Sequence, residues 1–145
     1  MAITTNAICN SFKKELLEGT HNFKSSGGNS FKLALYTSSA TLGKSTTSFT
    51  TDNQVGATGQ YASVGSAYTN GGTSLSSDTA LVDFADLSFT GVSLTARGAL
   101  IYNDTASGDP AVCVLNFGSD KTATSGTFTI QFPAFSSSAA IIRIA

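Results

Sequence analysis

At 145 residues the chain is long enough for one domain with its own hydrophobic core. Its net charge of −1, with eight Lys and Arg in all, excludes the basic surface of a nucleic-acid binder and an acidic tail for a histone-like partner. Only 12% of residues are charged, so little long-range repulsion keeps copies apart, and the chain is expected to live inside an assembly. Serine and threonine number 41, while 41% of residues are hydrophobic and ten are Phe. That combination predicts a folded β-rich body with polar loops rather than a disordered chain.

The start, MAITTNAICN, lacks the positive segment of a secretory signal, and no apolar run is long enough to span a membrane. The expectation is a chain made in a cytoplasm, with no membrane partner. Next, TTNAICNSFKKELLEG predicts a helix over about residues 4–19, with Thr4, Thr5 or Asn6 as N-cap and Gly19 as its stop. Ile8, Phe12 and Leu16 recur at i, i+4, Cys9 and Leu17 widen the stripe, and Lys13, Lys14, Glu15 and Glu18 cover the other side. Such a helix either docks on its own domain or serves as an amphipathic arm that docks on a partner.

From Phe31 the period changes to two. FKLALYT alternates Phe31, Leu33 and Leu35 against Lys32, Ala34 and Tyr36, as a half-buried strand does. The region from Ser38 to Ser77 is rich in Ser, Thr, Gly and Asn, with strand candidates around Tyr61 to Tyr68 and a turn signal at Asn70-Gly71-Gly72. A loop that long implies a task, such as contacts outside the domain. Ala80 to Phe89 reads as a strand bulged near Asp86, and Val92 to Asn103 as another. DTASGDP turns the chain into AVCVLNFG, a loop SDKTATSG follows, then TFTIQFP and a short terminal strand in AAIIRIA. The pattern is that of one mainly β domain over residues 1–145. It predicts an antiparallel sandwich or barrel, over about residues 30–145, with one N-terminal helix.

The residues that carry chemistry are few. His21 is the only histidine, so one chain cannot supply a multi-histidine metal site, and no Gly-x-Ser-x-Gly elbow accompanies it; it reads as an ordinary residue after the helix. Asp83 and Asp86 would face opposite sides of a regular strand, there is no Trp to stack a sugar, and Asp104 and Asp109 look like turn residues. SSGGNS and NGGTS lack the Lys and helix of a phosphate-binding loop. Neither a catalytic residue nor a cofactor or metal is expected. Cys9 and Cys113 lie among apolar neighbours and read as two buried thiols rather than a disulfide. Arg97 is unusual: with Leu94, Ala96 and Leu100 turned to the core, it shares the other face with Ser93, Thr95, Ala99 and Ile101. It either ties strands within the subunit by pairing with Asp83, Asp86 or backbone carbonyls, or it meets another subunit beside the apolar Ile101.

Three stretches, FKLALYTSSATLG, DFADLSFTGVSLTARGALIYND and VLNFGSDKTATSGTFTIQFP, resemble segments of small virion proteins of tailed bacteriophages, including phages of cyanobacteria. The likeness runs from the end of the predicted helix to AAIIRI and rests on strand and turn residues. It implies a capsid decoration, or cement, protein on the outside of an HK97-like shell. Such a protein is commonly a homotrimer that binds the major capsid protein and bridges capsomers. On that implication Arg97 and Ile101 lie near a subunit seam, while Ile8, Phe12 and Leu16, or the region from Ser38 to Ser77, grip the capsid. Two rivals belong to other classes: a tail, adaptor or host-attachment component, for which polar loops are suited, and a lytic or sugar-processing enzyme, which the lone His21 and missing Trp disfavour.

Overall fold

The computed structural model describes residues 3–63, 65–67, 70–133, 136 and 138–145. Two antiparallel sheets face each other. Strands β1 (Ala7–Ile8), β7 (Ala111–Ile130), β6 (Leu87–Asn103), β2 (Phe31–Tyr36) and β3 (Ser66–Ala67) form one sheet in that order, and β4 (Asn70–Ser76), β5 (Thr79–Phe84) and β8 (Ile142–Ile144) form the other. Among the described residues one helix, α1 (Asn10–Leu17), precedes β2. The expected sandwich is what the chain forms, and neither sheet closes into a barrel.

Burial joins the sheets. Phe84 from the smaller sheet packs 6.2 Å from Phe31 of β2 and 6.0 Å from Phe23, and Phe23 stacks on Phe31 at 4.4 Å. Val82 and Ile142 enter the same core. β2 is not half-buried as its alternation predicts, because Ala34 and Tyr36 are as inaccessible as Leu33 and Leu35. The second face of β2 is covered by the long segment after it. Tyr36 donates its hydroxyl hydrogen to the Thr50 carbonyl at 2.6 Å, the Leu35 N–H donates to the Tyr61 hydroxyl at 2.7 Å, and Phe49 stacks on Tyr102 at 4.5 Å. Much of the Ser38–Ser77 region therefore lines its own domain, with buried Ala40, Leu42, Val55 and Tyr61.

Strand boundaries differ from the pattern reading in instructive ways. The predicted strand from Ala80 to Phe89 is divided: β5 ends at Phe84, and Leu87 starts a separate strand that continues through Gly91 (φ +65°) to Asn103, 17 residues in all. AVCVLNFG, the predicted loop SDKTATSG and TFTI are one 20-residue strand, β7. The loop-like composition marks a bulge there. Ala96 pairs with Lys121 and Gly98 with Asn116, so residues 117–120 sit opposite Arg97 alone, with Gly118 at φ +82°. Asn70-Gly71-Gly72 lies inside β4 at a second bulge. The hairpin turn falls at Ser77 (φ +52°) and Asp78, and of the described residues in the Tyr61–Tyr68 candidates only Ser66–Ala67 pairs as a strand, with Val64 and Tyr68 outside the described residues.

The helix is shorter than its stripe because its first residues pair elsewhere. Ala7 and Ile8 are opposite Val114 and Cys113, and Cys9 donates its N–H to the Val112 carbonyl at 3.0 Å. Helix geometry can therefore start only at Asn10, with Cys9 rather than Thr4, Thr5 or Asn6 at the N-cap, and the Asn10 N–H finds the Lys44 carbonyl at 2.8 Å. The stop is as expected: Gly19 at φ +75° and Thr20 return N–H groups to Leu16 and Glu15, a Schellman closure. Ahead of the strand, Ile3 is fully buried on Gly98, where a Cβ would stand 2.7 Å from its Cδ1. The N-terminal segment is thus built into the sandwich rather than held out as a free arm.

Candidate functional site

Among the described residues three large apolar side chains are exposed: Leu17 at 90%, Leu75 at 73% and Ile144 at 53%. Topology relates Leu75 to Ile144, and Leu17 lines a groove with Ile144. Leu75 pairs with Ala80, and Ala80 with Ile144, so the three form one row across the smaller sheet. Two residues along each strand, Thr73, Val82 and Ile142 form the next row on the same face. Val82 and Ile142 are buried and share a cleft with Phe12 and Leu16 of α1, which Ala80 and Ile144 also line. Leu17 lies off the Phe12–Leu16 stripe because it is one residue, or about 100°, further around the helix.

An open groove of about 520 Å³ separates α1 from β8. Phe12, Leu16 and Leu17 wall it on one side and Ile141, Ile142 and Ile144 on the other, with Lys13 and Arg143 as its charged lining residues. A narrower cleft of about 130 Å³ continues between Leu16, Phe23, Ala80 and Val82. The surroundings are apolar enough to accept a side chain from a partner, and the two cations favour carboxylates beside it.

The residues singled out from the sequence are placed as follows. Phe12 is 2% exposed and packs against His21 at 4.8 Å and Phe23 at 5.9 Å, so its ring belongs to the subunit's own core. Ile8 and Leu16 are half-buried and line the groove. Ile101 is fully buried, opposite Leu33 and Cys113, and has no side-chain surface to offer a second subunit; the face expected at a subunit seam is here the interior between the sheets. Arg97 is half-buried and pairs with neither Asp83 nor Asp86, and its Nε is buried with no hydrogen-bond partner among the described residues. Asp86 instead accepts the Phe132 N–H at 2.8 Å.

Among the described residues no group of three His, Cys, Asp or Glu converges to hold a metal ion. Cys9 and Cys113 are free and buried, as expected. Burial pushes the Cys9 thiol up to about 11 and the Cys113 thiol higher still, so both are protonated near neutrality. His21 is the residue that pattern reading missed: its side chain is fully buried, with Nδ1 3.1 Å from Asn103 Nδ2 and Nε2 3.5 Å from Glu15 Oε1. Burial holds it below its ordinary value of 6.5, while the hydrogen bond and charge of Glu15 act in the opposite direction. No helix among the described residues is long and apolar enough to cross a membrane. No family model matches the chain, and no curated protein or solved structure matches it significantly.

Proposed function

We propose that the chain is a structural component of a tailed-phage virion: a decoration subunit on the outer surface of an HK97-like shell, bridging capsomers through the face of Leu17, Leu75 and Ile144. The observation that carries this reading is an apolar groove lined by the exposed Leu17 and Ile144, with the exposed Leu75 in the same row of the smaller sheet as Ile144. Burying each is worth roughly 1.5–3 kcal/mol, about 5–9 kcal/mol together. Association itself costs about 4–15 kcal/mol. One copy then holds weakly, and retention comes from several linked copies, as in a trimer whose subunits engage the shell together.

The test is binding to purified shells that lack this protein, with Leu17 and Ile144 both changed to Asp. Losing two buried side chains predicts affinity lower by about 10²–10⁴-fold. Because both positions are exposed, circular dichroism and the melting temperature should stay close to those of the parent. Unchanged binding of the folded double variant would remove this face from the interface.

A second reading, a tail or host-attachment component, is favoured by hydroxyl pairs on the outward side of the β6–β7 ribbon: Ser88 with Thr129 at 3.0 Å and Thr95 with Thr122 at 2.9 Å. Copy number per virion separates the two. Hundreds of copies fit a shell position, and about a dozen or fewer fit the tail or its vertex.

A further inference from the structure

His21 follows the Schellman closure of α1 directly, so its ring lies where the helix, the segment after it and the end of β6 meet. Phe12 comes from the helix, Phe23 from the following segment and Phe31 from β2, with ring centroids 4.8, 6.3 and 6.4 Å away. Asn103, fully buried at the end of β6, supplies the polar partner. Its amide cannot turn over freely, because Oδ1 accepts the N–H groups of Thr105 at 3.0 Å and Ala106 at 3.1 Å, while Nδ2 has two hydrogens for its two shorter contacts, Asn29 Oδ1 at 3.0 Å and the ring at 3.1 Å, with the Thr20 carbonyl further off at 3.5 Å. Asn103 therefore presents an N–H to the imidazole, Nδ1 must accept it, and the ring proton sits on Nε2, facing Glu15.

We propose that His21 is a pH-sensitive latch: neutral, it fastens α1 to the end of β6 through Asn103 and Glu15, and protonated at Nδ1 it opposes the Asn103 amide and releases the helix. A proton on Nδ1 would set two donors against each other. Turning the Asn103 amide to relieve them would break its bonds to Thr105, Ala106 and Asn29. The charge set against the ring is Glu15 from α1; the 23–31 side presents Phe23 and Phe31, and β6 presents the neutral Asn103. The next charges along β2 and β6 are Lys32 and Asp104, paired with each other at 3.2 Å. Glu15 favours the imidazolium, but burial prevails and the ring titrates below 6.5. The released state therefore takes up the proton first. The latch holds above 6.5 and is lost as pH falls through the lower value of the folded state. Release would also move Phe12 and Leu16, which wall the groove; this consequence rests on the docking reading, whereas the latch does not.

Because the chain has one histidine, its imidazole ¹⁵N signals need no assignment by mutation. The experiment follows them from about pH 8 to about pH 4 in the full chain, together with amide hydrogen-exchange protection in α1, β2 and β6. The expected result is the Nε2–H tautomer and a midpoint below 6.5. Protection in α1 should fall about 10-fold or more with that midpoint while β2 and β6 keep theirs, and His21→Gln should remove the pH-dependent loss. An Nδ1–H tautomer, a midpoint at or above 6.5, or α1 protection that stays flat through the midpoint would overturn the latch. If His21→Gln does not fold, the unmutated chain decides by itself. Shell binding measured over the same range separates the two proposals: release at the midpoint supports both, and retention after α1 has loosened counts against the docking face and leaves the latch standing.

Discussion

Replacing Phe12 with Ala distinguishes a helix that belongs to the core from one that merely rests on a partner. Phe12 is 2% exposed, with an edge contact to Phe23 and a tilted contact to His21. Truncating a ring in such a site costs about 3–5 kcal/mol, the sum of lost transfer energy and the cavity left behind. A domain of this size has about 5–15 kcal/mol in total, so the variant should keep its fold with much of its margin gone. At about 2–4 °C per kcal/mol, the melting temperature should drop by about 6–20 °C. Urea denaturation read by circular dichroism measures the loss. Leu17→Ala is the matched control: it lies on the same helix, is 90% exposed, and should change stability by no more than about 0.5 kcal/mol. A Phe12→Ala loss below about 1 kcal/mol would refute the packing argument and return the helix to the role of an arm.

Three further outcomes are expected. Gly98→Ala should destabilise the fold by about 1–3 kcal/mol in urea melts, because its Cβ would stand 2.5 Å from the Leu115 carbonyl oxygen and 2.7 Å from Ile3 Cδ1. Arg97→Met should be neutral or slightly stabilising in the isolated subunit, within about 1 kcal/mol, since it removes a buried unpaired donor and keeps the apolar stem; a loss above about 2 kcal/mol would show that the guanidinium is bonded within the subunit. Cys9 and Cys113 should resist a thiol reagent at neutral pH and react fully in denaturant, since both are buried with raised thiol pKa values; fast labelling of the folded chain would contradict that burial.

Local pattern was enough for much of the architecture. The i, i+4 spacing of Phe12 and Leu16 announced a helix and Gly19 its end, because a left-handed closure favours a residue without a Cβ, while Ile8 of the same stripe lies on β1. Period-two runs announced the strands and the Ser/Thr-rich turns a sandwich, since each sheet needs an apolar face to bury. Low charge and scarce histidine narrowed the chemistry for the same elementary reason: side chains that are absent cannot act.

What alternation cannot report is how many faces of a strand are covered, or where cover stops. Ile101 read as a subunit-seam residue because an apolar side chain shared a face with Ser93, Thr95 and Arg97, yet the domain's own core closes over that face further along the strand. SDKTATSG looked like a loop because Gly and Ser are turn residues, but pairing with β6 holds it extended around a bulge. His21 looked incidental because its partners, Glu15 on α1 and Asn103 at the end of β6, lie 6 and 82 residues away and only the fold brings them together. Ile142 and Ile144 are two residues apart in one strand and chemically identical. Only the tertiary packing decides that the first joins the core with Val82 and Phe84 while the second stays 53% exposed.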